Sequence, residues 1–390
     1  MNTIPLGHNS GSRSLDDLLD AVRAGGGRDL AHAETLPPAA YTSPEFYELE
    51  CARIFRREWL PVGHIGQIPN VGDYFTIDLL GELLVVVRDK EGEVRVMSRT
   101  CLHRWAPVAE GKGNTKLFSC PFHRWGYGLD GQLVVAPFMD QVADFDLKRC
   151  SLPRIRSEVV EGTIYVCFSD ETPSLAPRLG GFAERMKPYR LNELIVAYTL
   201  EFTCEFNWKI AVETFMESYH HIGAHAKTLQ EEHPGGLSYG EDDHGAWSAS
   251  HQPLRPDLPT ETNLTSGLPG FTGLTDEEKR DSGLYLVYPL NMFGTHADRV
   301  HWTALVPVAA NRTKWIRHVL VQPEAAELPN FAEIAEELKL AGMRIADEDL
   351  AVNGMQQYGA SSRYAAVGRV SHLESAVWQL SDYVRRMVAA

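Results

Sequence analysis

The chain has little of what would tie it to a membrane or to nucleic acid. Its longest apolar runs, such as "LLVVV" at residues 83 to 87, are far too short to span a bilayer. Basic residues are outnumbered, 37 Lys and Arg against 52 Asp and Glu, and the net charge of −15 argues against a phosphate backbone as partner, because such binding needs a basic face. Cysteine is scarce as well. Six (residues 51, 101, 120, 150, 167 and 204) in 390 residues make no disulfide scaffold, and in a reducing compartment clustered Cys and His point to metal first. The N-terminus "MNTIPLGHNSGSRSLDD" has neither a basic n-region nor an apolar h-region, so a cytoplasmic protein is expected. There is no Gly-rich dinucleotide fingerprint, no flavin motif and no internal repeat.

What is present reads as two globular domains behind an N-terminal arm, residues 1–43. Ser43 caps a helix with Pro44 at its first position, and Tyr47, Cys51, Ile54, Phe55 and Trp59 fall on one face, which makes Cys51 a core residue. From about residue 61 the period turns strand-like, in "GDYFTIDLL", "GELLVVVRD" and "EVRVMSRT", as in a small antiparallel β-domain. Asp130-Gly131 marks a tight hairpin turn. A Pro-containing linker, "DETPSLAPRLGG", sets the boundary, giving 44–170 as the first domain with its leading helix and 171–390 as the second. The second domain opens with a strand alternating Tyr198, Leu200, Phe202, Cys204 and Phe206, then a helix capped by Asn207 that runs from Trp208 to Gly223. Residues 226 to 282, polar and rich in Gly, Pro and His, suit a mobile cover over a site. Strands return in "GLYLVYPLNMF", "RVHWTALVPV" and "KWIRHVLVQP", and two helices close the chain, the last with a capping box at Ser371 and Glu374.

Two short segments carry chemistry. Cys101 and His103 form a Cys-x-His pair, and Cys120 and His123 a Cys-x-x-His pair beyond a Gly- and Lys-containing loop, so two loop tips can close on one metal centre. Two thiolates and two imidazoles suit a structural zinc or a [2Fe–2S] cluster with two Cys on one iron and two His on the other. Zinc sites favour Cys-x2–4-Cys knuckles, whereas these mixed pairs give each iron one ligand from each loop. The second segment is "NWKIAVETFMESYHHIGAH". Glu217 and His220, three apart, share a helical face, and a turn at Gly223 brings His225 back beside His220. Two imidazoles with one carboxylate form the facial triad of non-haem Fe(II) oxygenases, the carboxylate coming from elsewhere. A lone His is more often an ordinary core or surface residue, and the histidines from 233 to 301 are read that way.

"CLHR" followed by "CPFHRWGY" resembles the Rieske domain of ring-hydroxylating oxygenases, with Trp105 standing where the family usually has a small residue. The second segment resembles the same family's Asn-Trp-Lys-x3-acid-x3-acid-x-Tyr-His-x4-His motif, met by Asn207, Trp208, Lys209, Glu213, Glu217, Tyr219, His220 and His225. The resemblance spans roughly residues 44 to 385. It implies an α+β chain: an all-β Rieske [2Fe–2S] domain, then a catalytic domain with a curved antiparallel sheet and helices of the helix-grip, START-like kind. By the same resemblance Cys101, His103, Cys120 and His123 bind the cluster, and His220, His225 and a distant Asp bind mononuclear Fe(II). Asp349 of "ADEDLAVNGMQ" matches that Asp, with Asp347 and Glu348 as fallbacks, while Thr214 and Phe215 are pocket residues.

The implied activity is that of a terminal oxygenase α-subunit, using O2 to hydroxylate an aromatic or related small organic compound. Electrons would come from a ferredoxin and/or reductase, so NAD(P)H acts only indirectly. Arg104, Lys112, Lys116 and Arg124 give the cluster tips a local positive charge that could steer an acidic ferredoxin. Relatives assemble as head-to-tail homotrimers, some with a β-subunit, in which Glu217 would bridge an iron-binding His and His123 of the next subunit. Glu rather than Asp at that bridge resembles the branch that includes demethylases and monooxygenases, so oxidative N- or O-demethylation is the alternative. An electron carrier or zinc-binding protein is the reading from another class.

Overall fold

A computed structural model describes residues 14–264 and 266–389, so the first 13 residues of the expected arm lie outside the described residues. The chain divides into two compact units, Glu58–Pro177 with Leu191–Glu193, and a larger one comprising the remaining segments. The leading helix, which the sequence boundaries grouped with the β-domain, clusters with the larger unit. Its buried side chains account for this: Glu50 meets Lys209 and Trp208 of that unit.

The smaller unit holds three antiparallel sheets. One joins Leu60–His64, Thr163–Cys167 and Arg156–Val160; the second orders Val94–Ser98, Glu82–Arg88, Asp73–Leu79 and Lys112–Asn114; the third joins Phe118–Ser119, Gly126–Tyr127 and Leu133–Val135. The Asp130-Gly131 turn leads into the last of these, with Gly131 at φ +86°, a left-handed conformation that favours glycine. A core of Val85, Val87, Met97, Phe118, Tyr127 and Leu133 gathers around Cys101 and Cys120.

The larger unit is built on a seven-stranded antiparallel sheet, in the order Ile195–Cys204, Arg312–Val321, Val300–Ala309, Asn291–Thr295, Asp281–Val287, Trp247–Pro253 and Tyr239–Gly240. Trp247–Pro253 lies within the segment expected to be a mobile cover. Its serines disguise it, yet Ser248 and Ser250 are buried between neighbouring strands, so the backbone ladder decides its conformation despite the polar side chains. Helices Phe331–Ala360 and Ser375–Ala389 follow the strands.

Two further expectations change. Cys51 is only partly buried, because the helix Pro44–Glu50 widens into a π turn over Cys51–Phe55 and directs Ile54 and Phe55 inward instead. The helix expected to reach Gly223 stops at Phe215, and a separate 3-10 turn covers Tyr219–Ile222. Tertiary packing sets that break: Ser218 is buried, and Gly235 comes so close that a Cβ there would sit 2.2 Å from the Ser218 carbonyl oxygen.

Candidate metal centres

In the smaller unit the two Cys/His loops share one backbone framework. Cys101 N–H donates to the Ala106 carbonyl (3.0 Å) and Trp105 N–H to that of Cys101 (3.0 Å); Cys120 N–H donates to Trp125 (2.8 Å) and Arg124 N–H to Cys120 (3.0 Å). Each loop closes through a left-handed residue, Trp105 at φ +61° and Arg124 at φ +60°. A bulky side chain is unusual in that conformation, and Trp105 avoids crowding by standing 77% exposed. The loops hold four candidate donors. Cys101 and Cys120 are buried free thiols, and the His103 and His123 rings lie 4.6 Å apart. Tyr127 Oη lies 3.3 Å from Cys101 Sγ and accepts from Leu102 N–H (3.0 Å), while Trp125 stacks on His103 at 5.0 Å. His103 Nδ1 is buried with no hydrogen-bond partner. A buried ring nitrogen left bare in a Cys-x-His loop fits a metal-bound cluster, which would use the lone pair.

In the larger unit one ligand atom each from His220, His225 and Asp349 lie within 4.8 Å of one another. Asp349 Oδ1 is 2.9 Å from His225 Nε2 and 3.5 Å from His220 Nε2. Both Nδ1 atoms are engaged by other carboxylates, His220 with Glu217 (2.6 Å) and His225 with Glu348 (2.7 Å). A carboxylate on Nδ1 holds the proton there and frees Nε2 for a metal, as metal-bound histidines require. Burial works against charge on His220, but hydrogen bonds to Asp349 and Glu217 outweigh it and raise its pKa to about 9. Burial likewise opposes the charge on Asp349, yet the two histidines hold its pKa at about 2. These groups therefore make a strongly cation-favouring site.

Glu217 is positioned by the helix break. Its Oε2 accepts the His220 backbone N–H (3.0 Å), capping the 3-10 turn, while Oε1 meets the His220 ring, so carboxylate and imidazole meet across a turn in place of the expected shared helical face. Glu348, a fallback ligand from sequence, orients His225 and also accepts from Thr228 Oγ1 (2.7 Å); Asp347 is exposed. His221 is buried, with Nδ1 at 2.8 Å from the His233 carbonyl, and burial pushes its pKa down to about 4.

A cavity of about 440 Å³ adjoins this triad. Its sheet side presents Ser282, Leu284, Gly294, His301 and Arg317, and the helix Phe331–Ala360 presents Ile334, Leu338, Ala341, Ile345 and Asp349, spaced three and four apart. Thr214 and Phe215 line it as expected. So do His233, His296 and His301, which sequence reasoning treated as ordinary, and Arg317, which it passed over. The overlooked signal was register: Arg317 alternates with Trp315 and Val319 on one strand face.

The family model described as the ring hydroxylating alpha subunit (catalytic domain) matches residues 191–390, and that of the Rieske [2Fe-2S] domain matches residues 58–146. The chain belongs to the ring hydroxylating alpha subunit family. It is similar to the glycine betaine monooxygenase oxygenase subunit of Chromohalobacter salexigens, 32% identical over 55% of this chain and 49% of that protein. It is also similar to the 2-aminobenzenesulfonate 2,3-dioxygenase subunit alpha of an Alcaligenes species, 34% identical over 50% of each. The chain spans about half the length of the curated relatives it matches. Among solved structures, a quaternary ammonium Rieske monooxygenase superimposes with a TM-score of 0.79 over 97% of this chain and 100% of that one, at 23% identity, a likeness of fold. Members of this family carry a Rieske [2Fe–2S] domain and a mononuclear-iron catalytic domain, and the two donor sets above are of the kind each group needs. No helix among the described residues is long and apolar enough to cross a membrane.

Proposed function

We propose that this chain is the terminal oxygenase component of a multicomponent Rieske system, hydroxylating an aromatic or related small organic compound. The observation that carries the reading is the convergence of His220 Nε2, His225 Nε2 and Asp349 Oδ1 beside a cavity of small-molecule size. When bound, the mononuclear iron supplies oxygen-activating chemistry and the [2Fe–2S] group supplies electrons one at a time. Cys101, His103, Cys120 and His123 hold the latter, and His220, His225 and Asp349 the former. Glu217 and Glu348 fix the ring tautomers, and Thr214, hydrogen-bonded to Asn353 Oδ1 (2.6 Å), anchors the cavity wall next to Phe215. In a head-to-tail homotrimer Glu217 also contacts His123 of the neighbouring subunit and links the two centres. Electrons arrive from a ferredoxin and/or reductase.

A second reading, oxidation of an N- or O-methyl group with release of formaldehyde, draws on the similarity to a glycine betaine monooxygenase. One experiment separates them. Chemically reduced protein is given pooled aromatic and methylated compounds and labelled O2, and the products are analysed by mass spectrometry. Labelled oxygen on a ring supports hydroxylation, loss of methyl with formaldehyde supports the second reading, and zinc without acid-labile sulfide refutes both.

A further inference from the structure

Arg317 is the unusual group of the cavity. It stands in the strand Arg312–Val321 directly opposite Thr303, and its Nε donates to Thr303 Oγ1 (3.1 Å). The guanidinium lies 5.0 Å from the Trp315 ring and 5.9 Å from that of Phe215. Among the described residues that bond to Thr303 is its one hydrogen bond, so Nη1 and Nη2 have no protein acceptor, and Arg317 lines the cavity. No carboxylate among the described residues forms an ion pair with it. Asp349, which shares a small crevice with Arg317, is turned to the two histidines. Arg299, the other cavity arginine, is satisfied: Nη1 donates to Asp298 Oδ1 (2.6 Å), and Asp298 is fully buried.

A half-buried guanidinium without a counter-charge is costly unless an anion completes it. Burial pulls the Arg317 pKa below its ordinary value, and Asp349 and Tyr198 counter this only in part. The inner acids of the lining, Glu217 and Asp349, are engaged by His220 and His225. His296 and His301 are held neutral, burial driving their pKa values well below the usual range, and the acidic Glu232 and Glu337 stand exposed at the rim. A quaternary ammonium group would meet like charge at Arg317 and no aromatic cage, since among the described residues Phe215 is the one Phe, Tyr or Trp in the lining.

Resting on the oxygenase reading, we propose that the substrate carries a carboxylate or sulfonate that docks on Nη1 and Nη2 of Arg317. The planar fork of Arg matches two oxygens of such a group. The rest of the molecule then lies along Phe215 and Leu284, with its reacting carbon beside His220, His225 and Asp349.

Calorimetry on the metal-loaded protein without O2 tests this, using benzoate, anthranilate, 4-methoxybenzoate and benzenesulfonate, each paired with its uncharged amide. At least one anion should bind tenfold or more tighter than its amide. Arg317→Gln should bring that pair within about twofold, whereas Arg317→Lys should retain part of the preference. A preference confined to benzoate-type or to sulfonate ligands identifies the acid. Equal affinities, no binding of any anion, or a preference that survives Arg317→Gln overturns the proposal. Should Arg317→Gln lose its iron, the wild-type pairs still decide the matter. Iron and acid-labile sulfide measured in the same samples keep the two readings apart, since their absence from the wild-type protein would refute the oxygenase assignment itself.

Discussion

Glu348 and Asp349 are neighbours in the chain, yet they grip opposite edges of one imidazole: Glu348 Oε2 lies 2.7 Å from His225 Nδ1 and Asp349 Oδ1 2.9 Å from Nε2. Adjacent residues on a helix diverge by about 100°, and the His225 ring sits in the angle between them. Their removal should therefore have different consequences. Asp349→Ala removes a proposed ligand and should leave the protein with its acid-labile sulfide but almost without mononuclear iron. Glu348→Ala removes only the group that orients His225, and should weaken iron affinity by about 10–100-fold. Iron and sulfide analysis after titration with a chelator distinguishes the two, and full iron retention by Asp349→Ala would refute the ligand assignment.

Glu217 is tied to His220 twice, through the ring and through the backbone N–H. Replacing its charge while keeping its shape should preserve that geometry. Glu217→Gln is expected to retain both metals and to slow product formation on the order of 100-fold, as loss of a carboxylate behind a metal-bound histidine does. Normal turnover in this variant would show that Glu217 neither orients His220 for chemistry nor links the two centres.

On the helix Trp208–Phe215, Lys209 Nζ forms an ion pair of 2.5 Å with Glu50 Oε1, both side chains fully buried. Tyr41, Phe46 and Trp208 rings surround the ammonium at 5.3, 5.5 and 5.1 Å, and Trp208 Nε1 donates to the second Glu50 oxygen (3.1 Å). Removing one partner strands the other charge. Glu50→Gln should cost about 3–5 kcal/mol of stability, and adding Lys209→Met should recover part of it. Urea unfolding of Glu50→Gln, Lys209→Met and the double variant provides the test; a purely additive loss would contradict a coupled pair.

Glu213 supplies a pH dependence. Burial raises its pKa from 4.5 to about 7, although Tyr41 Oη donates to its Oε1 (2.6 Å) and Lys209 favours the charged form. Between those pH values the folded chain holds a proton that the unfolded chain has released. This contribution to stability is therefore present below pH 4.5 and lost as pH rises toward 7. The loss is roughly 3 kcal/mol. Melting curves at pH 5 and pH 8 should show a larger decrease for the wild type than for Glu213→Gln; equal decreases would argue against a buried, protonated Glu213.

The two Cys/His pairs could be read from the chain because each is local: ligands two or three residues apart need only a turn to converge. Period and turn chemistry likewise placed the β-domain and the strand through Leu200 and Cys204. Misreadings arose where distant packing acts. The helix from Trp208 breaks because Ser218 is pinned against Gly235, and the serine-rich strand Trp247–Pro253 is buried by its neighbours. Neither contact has a local signature.

The sequence by itself determined the family and the antiparallel character of both parts, and it singled out the candidate Cys/His and His/His pairs, since motifs and alternation are properties of short segments. Only the tertiary structure decided that Glu348 orients His225, that Glu217 caps the turn it serves, and that Arg317 opens into the cavity. Each of these depends on which side chains from distant segments a folded sheet and helix bring within hydrogen-bonding distance. Spacing along the chain does not encode that, because the balance of burial and charge at a site is summed over all the elements that enclose it.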